Sequence, residues 1–497
     1  MRRLGAVPCG DGTAEVCVWA PAAEGVLARG DEDVGLEPEG EYWTGRFAGE
    51  EYVLVVDGET WPDPCSRFQP HGVGGPSCIV DLGSFEWSDG DWGGLTLDEL
   101  VIYELHVGAF SEAGTFEGVV PQLRGLRELG VTAIELMPVA TFPGERGWGY
   151  DGLYTFAVHP GYGGPAGLAR LVDAAHAEDL GVILDVVYNH VGPGDEALRA
   201  FGLYFSEAHQ TPWGAAPDYR RRGVREWAIQ NAEQWVRDFH VDGLRLDVAS
   251  AILDDSRPHL CAELAERVRA VNPHALVISE MAVGDWHAVD EWNHDAQWTD
   301  RAHHELHVLL TGERDGYYAG YGSVESLAEA LGGSGRDPQR SVIYAQNHDQ
   351  VGNRAFGDRL PEDALRVAAA VTLFSPCTPL LFMGEEWHEQ APFRFFTDHV
   401  DPRIADATRK GRRREFADFA AFSGEEVPDP QAPETFVRSR LQRREPDAIY
   451  HELLALRREL PRELEAEADE DTQVLRLRRG DVMLVADFAN RRVEFSV

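Results

Sequence analysis

From Leu100 onward the chain alternates short, nearly unbroken apolar runs with longer stretches of helical spacing. Val101-Ile-Tyr-Glu-Leu-His106 reads as a buried strand, and Glu117 to Leu129 as a helix that Gly130 ends. Val131 to Met137 is a second strand, Ala166 to Asp179 a second helix, and Val182 to Tyr188 a third strand. Further strands are predicted at Gly243 to Val248, Leu276 to Glu280, Ser341 to Asn347 and Pro379 to Gly384, with the faintest near Asn293 to Gln297. Strands buried on both faces lose the alternation of an antiparallel sheet, and strand–helix repetition implies right-handed βα units. About eight such strands over this length favour a closed barrel.

The flanks read differently. Residues 1 to 92 hold short strands punctuated by glycine and proline, with Glu15 to Ala20 and Glu51 to Asp57 alternating as in a sandwich. Trp19, Trp43, Trp61 and Trp87 are each expected in the core before they are expected against a ligand. Trp92-Gly-Gly94 looks like a linker. Ala448 to Leu460 reads as a last helix, and two or three strands follow within Thr472 to Val497. The acidic stretch Glu463 to Asp471 reads as a solvated connection. The fold expected is therefore α/β, a (β/α)8 TIM barrel at 93–462, with an N-terminal β-sandwich domain at 1–92 and a small C-terminal β-domain at 463–497.

Composition narrows the partners. The 497 residues carry 45 basic and 85 acidic side chains, a net charge of −40, which argues against nucleic acid or anionic membranes and favours a neutral ligand. No apolar run approaches the ~20 residues of a membrane helix, and the first residues lack the apolar core of a signal peptide, so a cytoplasmic location is expected. Cysteines at 9, 17, 65, 78, 261 and 377 show no C-x-x-C pair and read as scattered thiols. With neither metal-ligand spacing nor a phosphate loop visible, no metal and no cofactor are expected.

The chemistry gathers at strand ends. Asp185-Val-Val-Tyr-Asn-His190, Gly243-Leu-Arg-Leu-Asp247, Val277-Ile-Ser-Glu280 and Gln346-Asn-His-Asp349 each close an apolar run with ionisable groups. Side chains at the carboxyl ends of barrel strands converge on one mouth, and several carboxylates meeting there suggest glycoside chemistry. Arg245 and Asp247, two apart, share a face of their strand; that is equally a structural ion pair. Glu280 ends an apolar run whose burial would raise its pKa toward that of a general acid, though alone it is ambiguous. Asp185 is placed to orient Arg245, and Tyr150 to offer a ring face to a pyranose.

These four segments, in this order, resemble the signature regions of glycoside hydrolase family 13, the α-amylase clan. Beyond them the chain resembles the clan's trehalose-releasing hydrolases through Arg67-Phe-Gln-Pro-His-Gly72, Phe142 to Asp151, Leu309 to Tyr318, Gln346 to Arg354, Met383 to Trp387, Phe395 to Asp398, Gly411 to Phe416 and Asp429 to Gln431. The resemblance implies Asp247 as nucleophile, Glu280 as acid/base and Asp349 as third carboxylate. It lines the same subsite with Tyr150, Asp185, His190, Arg245 and His348. It further implies a retaining mechanism with the two catalytic carboxyls ~5–5.5 Å apart. The expected substrate is maltooligosyltrehalose or a related α-glucan, cut beside its terminal trehalose, with a glucan-binding-like first domain.

Three departures bear on the substrate. Ser250 stands where the family usually has His, Met281 to Asp285 where it has a Ser-Asp start and a longer loop, and residues 332–340 where it has a basic insertion. All three are expected on the leaving-group side, where trehalose is told from maltose. Two other readings stand beside the hydrolase: a glucan-branching transferase, and a glucan-binding protein on a dead barrel.

Overall fold

The computed structural model describes residues 2–416 and 426–496; the outermost positions of the two end domains and a nine-residue stretch of the barrel unit lie outside it. Eight parallel strands close into a barrel: β1 (Ile102–Leu105), β2 (Ala133–Leu136), β3 (Gly181–Val186), β4 (Gly243–Leu246), β5 (Leu276–Glu280), β6 (Ala296–Trp298), β7 (Ser341–Tyr344) and β8 (Thr378–Phe382), with β8 pairing back onto β1. Every residue of β1 to β4 is buried, which is why the sequence showed runs there and no alternation. The barrel interior packs Ile102, Ala133, Ile183, Ile278, Val342 and Leu380 into one cluster with Leu95 and Leu100. Leu95 lies against Gly181 at the start of β3, closing the end opposite the strand termini that carry the ionisable groups. Gly130 ends the helix Leu123–Leu129 with φ 115°, a conformation that suits a residue without Cβ.

Two small sheets form the N-terminal sandwich. One orders the strands Gly5–Pro8, Thr13–Trp19, Tyr42–Ala48 and Glu37–Glu39, and the other is built on Val26–Arg29 and Glu51–Val56. Trp19 is buried against Tyr204 of the barrel unit, and Leu4 N–H donates to Gln230 at 2.8 Å. The expected linker is pinned: Trp92 stacks on His176 at 4.9 Å and donates to Asp242 at 2.6 Å.

The C-terminal sheet has four strands where two or three were expected. The fourth is Glu465–Asp469, which corrects the reading of the acidic stretch as a solvated connection: it pairs with Val474–Arg479 as an edge strand. Its Glu465 and Glu467 lie across from Arg478 and Arg476, and a charged edge resists pairing with another chain. Two arginines tie this end to the barrel. Arg479 donates to the carbonyls of Phe374 (2.8 Å) and Pro461 (2.7 Å), and Arg457, on the helix Ala448–Glu459, donates to those of Leu373, Ser375 and Cys377. No helix among the described residues is long and apolar enough to cross a membrane. All six cysteines are free thiols.

Candidate active site

Arg245, fully buried in β4, is the hub of the barrel mouth. Its Nη1 donates to Asp185 at 2.7 Å and to Asp247 at 3.0 Å, and its Nη2 to Glu280 at 2.5 Å. The register explains the convergence. Asp185 of β3 stands opposite Arg245, and Asp247 follows one residue after β4 ends, on the same side of the chain. Glu280 closes β5 and pairs in register with Trp298 of β6, whose ring lies 4.1 Å beneath the Arg245 guanidinium. A planar fork of donors can bridge three carboxylates where a lysine point charge cannot.

Each carboxylate is further constrained. Asp247 accepts from Asn189 Nδ2 on Oδ2 at 2.8 Å. Glu280 Oε2 accepts from both Arg245 and the Val248 N–H, leaving Oε1 outside these bonds. Burial pushes the Glu280 carboxyl up to about 8, against the pull of Arg245 and with help from the charges of Asp247, Asp349 and Asp300. Burial likewise pushes Asp185 up to about 7 against Arg245. Near neutrality the mouth therefore holds an acid that retains its proton, beside Asp247, which accepts from two donors.

A second chain of bonds runs around the rim. Tyr150 Oη donates to Asp185 at 2.6 Å and meets His348 Nε2 at 2.7 Å, while His348 Nδ1 reaches Glu104 of β1 at 2.5 Å. Burial opposes a charge on His348, but Asp349 and Glu104 outweigh it and raise its pKa to about 10, so the ring is an imidazolium. Asp349 stands in the first turn of the helix His348–Gly352 and accepts from Asn353 at 2.9 Å. His190 Nε2 contacts the Tyr150 carbonyl at 3.0 Å, and its burial keeps its pKa below the usual histidine value. The loop that carries Tyr150 is held by close approach: Gly149 adopts φ 102°, and a Cβ there would lie 2.1 Å from the Pro138 carbonyl oxygen. His106, kept neutral by burial with its pKa lowered to about 4, donates through Nε2 to Gly147 at 2.9 Å and accepts the Ala109 N–H on Nδ1.

All eight residues singled out in the sequence thus meet in one network or at its edge. Several partners were missed. Glu104 and Asn189 lie inside segments already quoted from the sequence, and only the fold shows that they reach His348 and Asp247. Trp298 sits on the faintest strand. Glu135, the register partner of Glu104, is buried with neither carboxyl oxygen bonded; burial raises it far above the carboxylate range and keeps it neutral. Trp213 tips a hairpin of Phe205–Thr211 and Gly214–Pro217 and stacks on His190 at 4.7 Å. One departure is also relocated. Ser250 and Met281 to Asp285 follow the carboxyl ends of β4 and β5, at the mouth. Residues 332–340 instead lead into β7, where Gln339 bonds Asp98 and Thr378 at the opposite end of the barrel, while Arg336 lies over the Trp286 ring at 4.5 Å, next to the 281–285 loop. Among the described residues no group of three or more His, Cys, Asp or Glu side chains is arranged to hold a metal.

Comparison with known proteins adds three findings. The family described as alpha amylase, catalytic domain, matches residues 83–211. The malto-oligosyltrehalose trehalohydrolases of Deinococcus radiodurans and Saccharolobus solfataricus are each 41% identical to this chain, over 92% and 89% of it and 83% and 84% of their own lengths. A crystal structure of a Salmonella typhimurium protein superposes with a TM-score of 0.89 at 36% identity, covering 98% of this chain and 93% of that one.

Proposed function

Because the chain belongs to the malto-oligosyltrehalose trehalohydrolase family, within the α-amylase clan, we propose that it hydrolyses the α-1,4 bond beside the terminal trehalose of maltooligosyltrehalose. The products are trehalose and a shortened maltooligosaccharide. The observation that carries the reading is Arg245, which gathers Asp185, Asp247 and Glu280 from three adjacent strand ends.

In this reading Asp247, oriented by Arg245 and Asn189, attacks the anomeric carbon as Glu280 gives its proton to the departing trehalose oxygen. A glycosyl ester on Asp247 results, with Glu280 now ionised. Glu280 then takes a proton from water, the water oxygen attacks the same carbon, and Asp247 departs as carboxylate. The two displacements retain configuration. Asp349 bonds hydroxyls of the reacting sugar and favours its distorted form, while the Tyr150, His348 and His190 group lines the ring. A buried Arg245 serves both states, since it holds Glu280 after the proton has left. Family membership disfavours the branching-transferase and dead-barrel readings.

The test is chromatography of products from maltotriosyltrehalose and maltopentaose at equal concentration. Trehalose and maltotriose, formed far faster from the first than any product from the second, are the expected result. Equal rates with no trehalose would leave an α-glucan hydrolase of other specificity. A site that bonds one hydroxyl arrangement rejects analogues strongly, because unmatched buried polar groups are costly.

A further inference from the structure

Beneath the mouth the barrel holds a carboxyl that the reaction does not use. Ile102, Ala133, Ile183 and Ile278 pack together inside the barrel. Glu104, Glu135, Asp185 and Glu280, each two residues further along the same strand, therefore also face inward. Glu135 of β2 is in register with Glu104 on one side and with Ile183 on the other, which sets it one interior step below Asp185. It is 1% exposed, and neither of its carboxyl oxygens has a hydrogen-bond partner among the described residues.

Two buried neighbours are left unpaired in the same way. Asp185 gives Oδ2 to Arg245 and Tyr150, while its Oδ1 has no partner among the described residues. Arg245 spends both Nη atoms on carboxylates, while its Nε likewise has none. Buried polar atoms are rarely left so, and an internal water typically joins about three of them. One donor, Arg245 Nε–H, and one acceptor, Asp185 Oδ1, need a third group that can both give and take a bond. A carboxylic acid can; a carboxylate cannot. Charge leads to the same assignment. Glu104 is the counter-ion of His348, bonded at its ring Nδ1 and its main-chain N–H, and a second buried anion in register with Glu104 is disfavoured. Burial raises the Glu135 carboxyl far above the carboxylate range. Of its charged neighbours, Glu104 and Asp185 push the same way, while Arg245 and His348 pull it down.

We propose that Glu135 is a positioning residue: its acid group, through internal water, completes a hydrogen-bonded floor under Arg245 and Asp185 and so holds the guanidinium against Asp247 and Glu280. The proposal rests on the function given above for the substrate on which rates are read.

Loss of the floor is transmitted through Asp185. Without the acid, ionised Asp185 loses a bond, and its pKa, already about 7 under the opposed pulls of burial, Arg245, Asp247 and His348, rises. A neutral Asp185 leaves more of the Arg245 charge to Glu280, whose carboxyl then ionises more readily, with Asp247, Asp349 and Asp300 opposing as before. The basic limb of activity therefore moves to lower pH.

The experiment follows trehalose release from maltotriosyltrehalose between about pH 5 and 9.5 in the full chain, in Glu135→Gln and in Glu135→Leu. The amide is neutral and both donates and accepts, so Glu135→Gln should lose no more than about threefold in kcat, with its basic limb in place. Leucine bonds nothing. In Glu135→Leu kcat should fall about tenfold or more with KM within about threefold, and the basic limb should move down by about half a pH unit or more. Equal losses in the two variants would mean that a carboxylate is needed, and a leucine variant whose limb stays put would make Glu135 a packing residue; either overturns the proposal. A second measurement covers a leucine variant that does not fold. In protein labelled at arginine Nε, the Arg245 Nε–H resonance, assigned by its loss in Arg245→Met, should shift between the unaltered chain and Glu135→Gln. An identical resonance in both sinks the link. If no trehalose is released at all, the function proposed above is wrong, and this resonance still decides the place of Glu135.

Discussion

Val248 turns into the left-handed region, at φ 32°, and there its N–H donates to Glu280 Oε2 at 2.9 Å. A β-branched residue in that region is strained, typically by ~1–3 kcal/mol, so the surrounding structure holds it in place. The same oxygen takes the Arg245 bond. With Oε2 doubly engaged, Oε1 is the atom free to carry the proton.

Glu280→Gln therefore keeps the geometry and loses the proton. Trehalose release should fall ~10²–10⁴-fold with the melting temperature near that of the unaltered protein. Hydrolysis of a maltosyl fluoride, whose leaving group needs no proton, should suffer far less in its first step. Equal losses on both substrates would count against an acid role. In the unaltered protein the rate should decline as pH rises through about 8, where Glu280 gives up its proton, and that basic limb should report the interacting carboxyls together. A rate flat to pH 9.5 would contradict it.

Arg245→Met leaves three carboxyls without their shared cation. Breaking a buried pair from one side costs ~3–5 kcal/mol, so a loss of that order is expected at pH 8. The sign with pH follows from the burial that already raises Asp185 and Glu280 to about 7 and about 8. Without Arg245 both rise further, so the folded state binds these protons more tightly than the unfolded chain does. Stability of the variant is then greatest below the ordinary carboxylate range and falls as pH increases toward the raised values. Denaturant melts at pH 5 and pH 8 should show the deficit shrinking at pH 5. An equal deficit at both would mean the carboxyls do not titrate as argued.

Glu104→Gln tests the far end of the network. Glu104 and Asp349 hold His348 at about 10, so the variant should lower the His348 pKa by at least one unit, seen in the nitrogen shifts of a labelled ring. Turnover at pH 8 should fall about tenfold and recover partly at lower pH, a pattern general loosening would not give. An unmoved His348 titration would detach Glu104 from the site.

The barrel was legible because parallel strands covered on both faces must be apolar, and its ends were legible because Asp247, Glu280 and Asp349 interrupt or close those runs. What stayed hidden depends on partners distant in sequence. Glu104 is unremarkable within Ile-Tyr-Glu-Leu until β7 brings His348 to it. Trp213 gains meaning only when its hairpin folds over His190. Glu-Ala-Glu-Ala-Asp at 465–469 has none of the β-branched residues that mark strands, and pairing with Val474–Arg479 overrides that preference. The position of 332–340 was within reach of sequence reasoning, since a segment that leads into a barrel strand lies opposite the strand's carboxyl end. The φ of Val248 was not, because nothing in valine announces a left-handed turn.

The bonds from Arg479 to the carbonyls of Phe374 and Ser375 bear on how the molecule is made. Those carbonyls lead into β8, the strand that pairs with β1 and completes the ring. During synthesis the eighth strand leaves the ribosome a hundred residues before the arginine that fixes its approach. The ring can form in that interval and Arg457 then ties its approach, but the Phe374 carbonyl waits for Arg479 until nearly the whole chain has emerged. A ribosome that stops at residue 470 would release every side chain of the proposed site on a barrel whose eighth strand is held by the first of its two arginines, Arg457, without the second.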